Sequence, residues 1–227
     1  MLIGLKIGFV SLFPEAVWPY VNASILGRAA GTGLVDFSVV NPRDFTYDRH
    51  AKVDDAPFGG EPGLLIKAEP IALAVEHLAW PGAVVISTDP AGTPFRQADA
   101  VELAAGGPVV FLCGHYEGID DRVIQYLGAR RYSIGDYVLT GGELPALVMA
   151  DAICRNVPGV LGDSASLAAD SFSDRGLSAE NYTRPAVWRG ISVPEVLLSG
   201  NHARIREWRE TRADEITRTV RPDLADG

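Results

Sequence analysis

The run from Ser133 to Pro145 has the residue types of a turn that holds a small molecule against its backbone. It reads Ser-Ile-Gly-Asp-Tyr-Val-Leu-Thr-Gly-Gly-Glu-Leu-Pro, beginning like a strand and resuming like an apolar helix at Glu143. The adjacent Gly141 and Gly142 tolerate positive φ and the close approach of a ligand. The amides of the first helical turn are free to donate hydrogen bonds to it. The run therefore predicts a small-molecule site.

Two other polar turns that contain glycine follow apolar segments, namely Thr88-Asp89-Pro90-Ala91-Gly92 and Cys113-Gly114-His115-Tyr116-Glu117-Gly118. Ligands of open α/β sheets bind beyond the carboxyl ends of the strands, so these turns are expected to form one site with residues 133–142. The chain has no Gly-x-Gly-x-x-Gly opening a helix and no Gly-Lys-Ser/Thr, which argues against the ordinary dinucleotide and phosphate cradles. A nucleotide-like ligand would be bound in another way.

The elements that must position these turns alternate along the chain. Apolar segments predict strands at 5–10, 35–40, 83–87, 108–112 and 130–134. Helical patterns fall at 15–30, 68–79, 97–105, 119–127 and 143–155. This alternation predicts an α/β fold with a largely parallel sheet and helices on both faces.

The alternation stops after the helix at 143–155. Residues 157–184 are rich in Gly, Ser, Asp and Ala, as is typical of a long mobile linker. A short apolar piece at 191–198 and an arginine-rich helix from Asn201 to about Thr211 then predict a small, mainly helical domain. The expected organisation is a domain at 1–162, a flexible linker at 163–184 and a second domain at 185–227.

Composition indicates a globular protein and argues against disordered or collagen-like classes. The 227 residues are 47% hydrophobic and 22% charged. The N-terminal apolar run is broken by Pro14 and lacks a basic leader, so it is interpreted as a buried strand, and no membrane association is expected. Two cysteines without zinc-type spacing, Cys113 and Cys154, fit a reducing cytoplasm.

The net charge of −9 argues against a polyanionic partner, but its distribution is uneven. Residues 184–227 hold eight Arg against seven acidic residues, whereas the preceding residues hold 12 Lys or Arg against 22. A stripe of cations recurs at helical spacing around Trp208: His202, Arg204, Arg206, Arg209 and Arg212. The stripe fits either a phosphate-facing surface or a solvated helix balanced by Glu207 and Glu210.

Together these segments resemble the bacterial tRNA (guanine-N1)-methyltransferase family, of the knotted SPOUT-type superfamily. The resemblance runs in order from the first strand to about Trp208. It is carried by the following stretches: 54–60 (Asp-Asp-Ala-Pro-Phe-Gly-Gly), 113–123, 133–145, 155–162, 170–174 (Asp-Ser-Phe-Ser-Asp), 182–185 (Tyr-Thr-Arg-Pro) and 196–202 (Val-Leu-Leu-Ser-Gly-Asn-His).

The resemblance implies an S-adenosylmethionine-dependent enzyme with a trefoil knot in its catalytic domain, acting as a homodimer on the tRNA guanine just 3′ of the anticodon, position 37. The glycine-bearing turns would be the knot loops that hold a bent cofactor. The cofactor-binding residues would be Thr88, Pro90, Gly114, Glu117, Ser133, Ile134, Gly135, Asp136, Tyr137, Val138, Leu139, Gly141, Gly142 and Pro145.

The same resemblance implies that Asp170 is the general base that takes the guanine N1 proton and that Arg155 stabilises charge on the neighbouring oxygen. From the residues alone, Asp170 equally fits a turn or helix cap, and Arg155 a charge at a helix C-terminus. The RNA-binding residues would be Arg184, His202, Arg204 and Arg209. The family is associated with a magnesium requirement, for which no ligands are assigned.

The chain departs from the family pattern at several positions. Glu61 and Arg175 stand where glycine is usual, His115 where arginine is usual, and Arg131 and Tyr132 where acidic or small residues are common. The C-terminal domain is also expected to be shorter than usual. These departures motivate an alternative function: a cofactor-binding RNA-binding or regulatory paralogue with weak or no catalysis.

Overall fold

A computed structural model of the chain describes residues 4–162, 170–172 and 176–225. Contacts between Cα atoms divide the chain into two compact units, Met1–Gly162 and Asp163–Gly227. Of the segment expected to be a linker, residues 163–169 and 173–175 lie outside the described residues, and so does the departure at Arg175.

The first unit is built on a five-stranded sheet in which every neighbouring pair is parallel. The strand order is β2-β1-β6-β5-β7. The strands are β1 (Leu5–Val10), β2 (Val35–Val40), β5 (Val84–Pro94), β6 (Val109–Leu112) and β7 (Arg130–Ser133). The prediction of an α/β fold with a largely parallel sheet is confirmed.

Helices connect these strands, because parallel neighbours need a crossover connection. They are α1 (Pro14–Val21), α2 (Ser24–Gly31), α3 (Ala68–Leu78), α4 (Gln97–Ala105), α5 (Asp121–Tyr126) and α6 (Glu143–Arg155). A 3-10 turn at Pro42–Phe45 and a two-stranded antiparallel hairpin, β3 (Asp54–Asp55) with β4 (Leu65–Ile66), lie between β2 and α3.

The sheet has an apolar core on each face, since successive side chains of a strand point to opposite sides. Phe9 and Phe111 stack at 5.5 Å between ring centroids in one core, which also holds Met149 of α6. Val10 and Leu112 belong to the other core, with Ile71 of α3. Strands covered on both faces explain the continuous apolar runs in the sequence.

The helix expected at 15–30 is two helices, α1 and α2. Ser24 has a φ of 49°, and α1 ends at Val21, with Asn22 as its C-cap. A Cβ on Gly27 would lie 2.3 Å from the Asn22 carbonyl oxygen, so the two helices meet where a side chain would not fit. Apolar periodicity continues through such a break, which is why the pattern did not reveal it.

The second unit contains a short antiparallel hairpin, β8 (Val187–Trp188) with β9 (Ile191–Ser192), followed by α7 (Glu195–Leu198), α8 (His202–Val220) and a 3-10 turn at Pro222–Leu224. Asn201 caps α8 as predicted: its Oδ1 accepts from the amides of Ala203 and Arg204, each at 3.2 Å. The helix runs nine residues beyond Thr211.

Contacts with the preceding segment account for the extra length of α8. Arg212 donates to the Glu180 carboxylate at 2.6 Å, and the Leu177 amide donates to the buried Thr217 hydroxyl at 2.9 Å. The end of α8 is polar and has little apolar periodicity. Its helical state therefore depends on these contacts rather than on a local pattern.

Candidate functional site

Three turns meet at the carboxyl ends of β5, β6 and β7 around one cavity of about 260 Å³. Thirteen of the fourteen expected cofactor-binding residues line it: Thr88, Pro90, Gly114, Glu117, Ser133, Ile134, Gly135, Tyr137, Val138, Leu139, Gly141, Gly142 and Pro145. Asp136 lies in the same turn but does not line the cavity. The structure thus brings together residues separated by up to 57 positions in the chain.

The first of these turns is an excursion within β5. Thr88 and Thr93 both pair with Tyr132 of β7, so residues 89–92 bulge out of the strand. Asp89 closes the bulge, because its Oδ1 accepts from the Ala91 amide at 2.8 Å. The bulge pushes Asp89 and Pro90 into the cavity wall.

The third turn, residues 133–142, passes between the other two at Gly142. The Gly142 amide donates to the Gly114 carbonyl at 2.8 Å. A Cβ at this position would lie 2.3 Å from Thr88 Oγ1 and 2.7 Å from both Cys113 Cα and the Gly114 nitrogen. Since two of these atoms belong to the backbone, no side-chain movement could make room. Glycine is required here by a close approach of three chain segments.

Gly135 has a second close contact, at the start of the same turn. A Cβ there would lie 2.5 Å from the ring of Tyr137. The Ser133 hydroxyl bonds both the amide and the carbonyl of Gly135, at 3.3 and 3.1 Å. These contacts fix the backbone at the start of this turn, where it lines the cavity.

Charged side chains flank the cavity. Asp89 and Glu117 line it together with Arg131, whose guanidinium lies 3.4 Å from Asp89 and also pairs with Asp121. Arg131, a departure from the family pattern, is thus engaged by two carboxylates. A Cβ on Gly63 would lie 2.5 Å from Glu117 Cγ, so the glycine-rich segment packs against Glu117.

A buried hydrogen-bond network beside the cavity was not found from the sequence. The Glu143 carboxylate accepts from the Ser11 hydroxyl at 2.5 Å and lies 2.7 Å from His115 Nε2. Ser11 and Glu143 are buried, and His115 lines the cavity. Glu143 is 132 positions from Ser11, and no local pattern links two residues so far apart.

The two expected catalytic residues are both exposed and lie in different units. Arg155 is the last residue of α6 in the first unit. Asp170 lies in a bend of the second unit, before Ser171, whose hydroxyl accepts from the Ser178 amide at 3.0 Å. Their roles remain predictions.

The expected RNA-binding residues lie in the second unit and are exposed. Arg184 precedes β8, and His202 and Arg204 occupy the first turn of α8. Arg209 donates to the Asn181 side chain at 3.1 Å. Arg212 of the same stripe is paired with Glu180, so its charge is balanced within the second unit.

The described residues contain no group of three or more His, Cys, Asp or Glu arranged to hold a metal ion, and no magnesium ligand is assigned. Within the same ranges, none of the helices has the length and apolar character needed to cross a membrane. Cys113 and Cys154 are free thiols in the interior.

Comparison with known proteins gives the same family across nearly the whole chain. The family model described as tRNA (Guanine-1)-methyltransferase TrmD matches residues 5–227. A tRNA (guanine-N(1)-)-methyltransferase of Geobacter sulfurreducens is 49% identical over 222 residues, covering 97% of this chain and 91% of that protein.

Similar proteins with the same name occur in other bacteria. The one from Staphylococcus epidermidis is 48% identical over 97% of this chain and 90% of its own length. The one from Serratia proteamaculans is 48% identical over 96% of this chain and 87% of its own length. With its parallel α/β sheet and this extent of similarity, the chain belongs to the tRNA (guanine-1)-methyltransferase family.

Proposed function

We propose that the protein transfers the methyl group of S-adenosylmethionine to N1 of the guanine at tRNA position 37. The observation that carries the proposal is the convergence of thirteen expected cofactor-binding residues on one cavity, in a chain of this family. The enzyme is favoured over the regulatory alternative because the similar proteins are named as methyltransferases.

The cavity fits the cofactor in size and chemistry. Its volume of about 260 Å³ is close to the lower end for small-molecule pockets, roughly 300 Å³. Gly135, Gly141 and Gly142 line the cavity and carry no side chain, so the adenine can lie close to the backbone of the third turn. The carboxylates of Asp89 and Glu117 suit a ligand with a cationic ammonium and sulfonium.

Methyl transfer to guanine N1 requires loss of the N1 proton. S-adenosylmethionine supplies an electrophilic methyl group on a sulfonium sulfur. Asp170 takes the N1 proton, the N1 electron pair forms the new bond to the methyl carbon, and the electrons of the broken carbon–sulfur bond remain on sulfur. Arg155 stabilises the negative charge that develops on guanine O6 during proton removal.

Asp170 suits this role because it is exposed and lies in a bend, outside regular helices and strands. A base carried on such a segment can approach a bound guanine and exclude water from the reacting atoms. Arg155 ends the helix that begins at Gly142 of the cavity, so the cofactor turn and the cation share one rigid element.

A trefoil knot is proposed for the 84–155 region. The passage of Gly142 between Thr88 and the Cys113–Gly114 backbone supports it, as does the burial of α6 residues such as Met149 against β1 and β6. Threaded chains are very rare, and sequence rules alone do not suggest one.

The second unit is proposed to bind tRNA through Arg184, His202, Arg204 and Arg209. Their exposure supports this role, and so does the local excess of arginine over acidic residues in a chain that is otherwise strongly acidic. Phosphate contacts position a nucleic acid but do not read its sequence. Recognition of the guanine is therefore proposed for residues near the cofactor cavity of the first unit.

We also propose a cytoplasmic homodimer. Leu144 and Val148, one turn apart on α6, are 61% and 52% exposed, and Val138 of the third turn is 82% exposed. Large apolar side chains clustered beside a functional cavity are typical of a protein interface. The buried free thiols fit a reducing compartment.

The wild-type protein incubated with methyl-labelled S-adenosylmethionine and an unmodified tRNA transcript tests the proposal. Label is expected in a transcript with guanine at position 37. It is expected to be absent from an otherwise identical transcript with adenine there. Equal labelling of the two transcripts would contradict the proposed position, and labelling of neither would contradict the activity.

A further inference from the structure

The carboxylate of Glu143 is a buried charge at a point where the proposed mechanism does not use one. Its side chain is 7% exposed and begins α6, one residue after the close approach at Gly142. A carboxylate in this position is favoured by the helix N-terminus, but burial costs more than that effect returns. The groups that bond it must therefore offset its burial.

Two donors converge on that carboxylate from different parts of the sheet. Ser11, directly after β1, donates through its hydroxyl to Oε1 at 2.5 Å, and the Ser11 oxygen in turn accepts from the Phe13 amide at 2.9 Å. His115, after β6, lies 2.7 Å from Oε2 through Nε2. Each oxygen of the carboxylate therefore has its own partner, the Ser11 hydroxyl at Oε1 and the His115 ring nitrogen at Oε2.

The His115 ring is also packed against the third turn. A Cβ on Gly141 would lie 2.4 Å from His115 Cε1 and 2.5 Å from Nε2, so the ring lies directly over the Gly141 backbone. His115 and Gly141 form an antiparallel bridge. The ring of Phe13 covers the imidazole at 4.6 Å between centroids.

These contacts give the imidazole a defined place. One edge is bonded to Glu143, the adjacent atoms lie on Gly141, and Phe13 packs against the ring. Both Gly141 and His115 line the cavity, whereas Glu143 and Ser11 lie behind it. The network therefore joins the turn after β6 to the turn after β7 at the cavity wall.

We propose that His115 is a positioning residue for the cofactor. Glu143 and Ser11 hold its ring, and the ring in turn keeps the Gly141 turn in the conformation that binds S-adenosylmethionine. We call this arrangement of Ser11, Glu143, His115 and Gly141 the latch. The inference rests on the proposed function. It assigns a role to the histidine that departs from the usual family residue. It also assigns a role to Glu143, because burying a carboxylate costs free energy and the proposed methyl transfer does not use this one.

Affinity for S-adenosylmethionine, measured by calorimetry on the full chain, tests the latch. His115→Ala removes both the donor and the ring, and a Kd increase of about tenfold or more is expected because Glu143 loses a bonded partner and the turn loses its support. His115→Gln keeps an N–H near the position of Nε2 and is expected to recover most of that loss. His50→Ala, at an exposed histidine of the same unit, is the matched control and should bind like the wild type.

Glu143→Gln alone gives a measurement that does not depend on the folding of His115→Ala, and the double variant adds a second test where His115→Ala is folded. The latch predicts that Glu143→Gln also weakens binding and that the double variant with His115→Ala is no worse than the weaker-binding single variant, since both disrupt one interaction. In steady state, KM for S-adenosylmethionine should rise with little change in KM for tRNA.

Four results separate the possibilities. Unchanged affinity in His115→Ala would overturn the latch, as would fully additive losses in the double variant. A lowered melting temperature without any change in Kd would show a purely structural network and would also overturn it. Failure of the wild-type protein to bind S-adenosylmethionine would instead contradict the proposed function.

Discussion

At the scale of single residues, the groups proposed for the chemistry differ in burial from the groups that lie behind the cavity of the first unit. Asp170 and Arg155, which are proposed to act on the guanine, are exposed. Glu143 and Ser11 are buried and bonded to each other. A substitution of the first kind should change turnover, and one of the second kind should change cofactor affinity.

Replacing the proposed base tests this division. Asp170→Asn keeps the size of the side chain but removes its ability to accept the N1 proton, so kcat should fall by about 10²–10⁴-fold. The Kd for S-adenosylmethionine should stay within about twofold of the wild-type value, because the cavity lies in the other unit. Single-turnover transfer and calorimetry measure the two quantities.

Asp214→Asn, at an exposed position of α8, is the matched control and should leave turnover unchanged. Full activity of Asp170→Asn would remove Asp170 from the mechanism.

The reactivity of the two buried thiols, Cys113 and Cys154, is expected to depend on pH. Burial, with a smaller contribution from the Asp151 charge, raises the pKa of Cys154 to about 12. Burial and then the Glu143 charge raise the pKa of Cys113 well above its usual range. Because a raised pKa keeps a thiol protonated below that value, neither cysteine should react with a disulfide reagent at pH 8 in the folded protein.

In denaturant both thiols should titrate. Rapid modification of the folded protein at pH 8 would contradict the burial of the two residues.

At the scale of elements, the sequence predicted regular segments better than breaks and crossings. The strands at 5–10 and 35–40 and the helices at 97–105 and 143–155 have the predicted bounds, because continuous apolar runs and helical periodicity come from the two-sided burial of the sheet. The break near Asn22 and the long end of α8 depend on contacts between distant residues, which periodicity does not encode.

Some parts of the candidate site could likewise be predicted from the sequence, and others could not. The three turns could be located because each follows an apolar strand segment and contains glycine. The network of Ser11, His115 and Glu143 could not, since its members come from three different strand ends and each has an ordinary local role. The need for glycine at Gly142 arises from a crossing that is visible in three dimensions.

Gly142→Ala tests that crossing. The added methyl group would meet Thr88 Oγ1 and the backbone of Cys113 and Gly114, so unfolding free energy should fall by about 1–3 kcal/mol and cofactor binding should weaken. Denaturant unfolding and calorimetry measure both effects.

Gly31→Ala is the control, because it lies in α2 with no atom within 4 Å of the added Cβ. Its effect should be neutral or stabilising by up to about 1 kcal/mol. Equal behaviour of the two variants would show that Gly142 is not constrained by the crossing.

At the scale of the whole molecule, charge and apolar exposure are distributed unevenly. The excess of arginine begins at residue 184, in the second unit, while the first unit holds the cavity and the exposed apolar face of α6. This distribution suits one unit that binds the cofactor and pairs with a second copy, and another that contacts the tRNA backbone.

Substitutions on the exposed apolar face of α6, formed by Leu144 and Val148, test the proposed dimer directly. The wild type should have about twice the mass of the 24.3 kDa chain by light scattering. The double substitution Leu144→Glu with Val148→Glu should yield a monomer, because charged side chains in the centre of an interface are desolvated without partners.

Val101→Glu, at a half-exposed apolar residue of α4, should remain dimeric. A monomeric wild type, or a double variant that still dimerises, would contradict the proposed interface.

The central claim is that the protein methylates N1 of guanine 37, and identification of the methylated nucleoside tests it most directly. After reaction of the wild-type protein with an unmodified transcript, digestion and mass spectrometry should yield 1-methylguanosine, mapped to position 37. A methyl group on the exocyclic amine or N7 of guanine, or on a nucleotide elsewhere in the tRNA, would contradict the account.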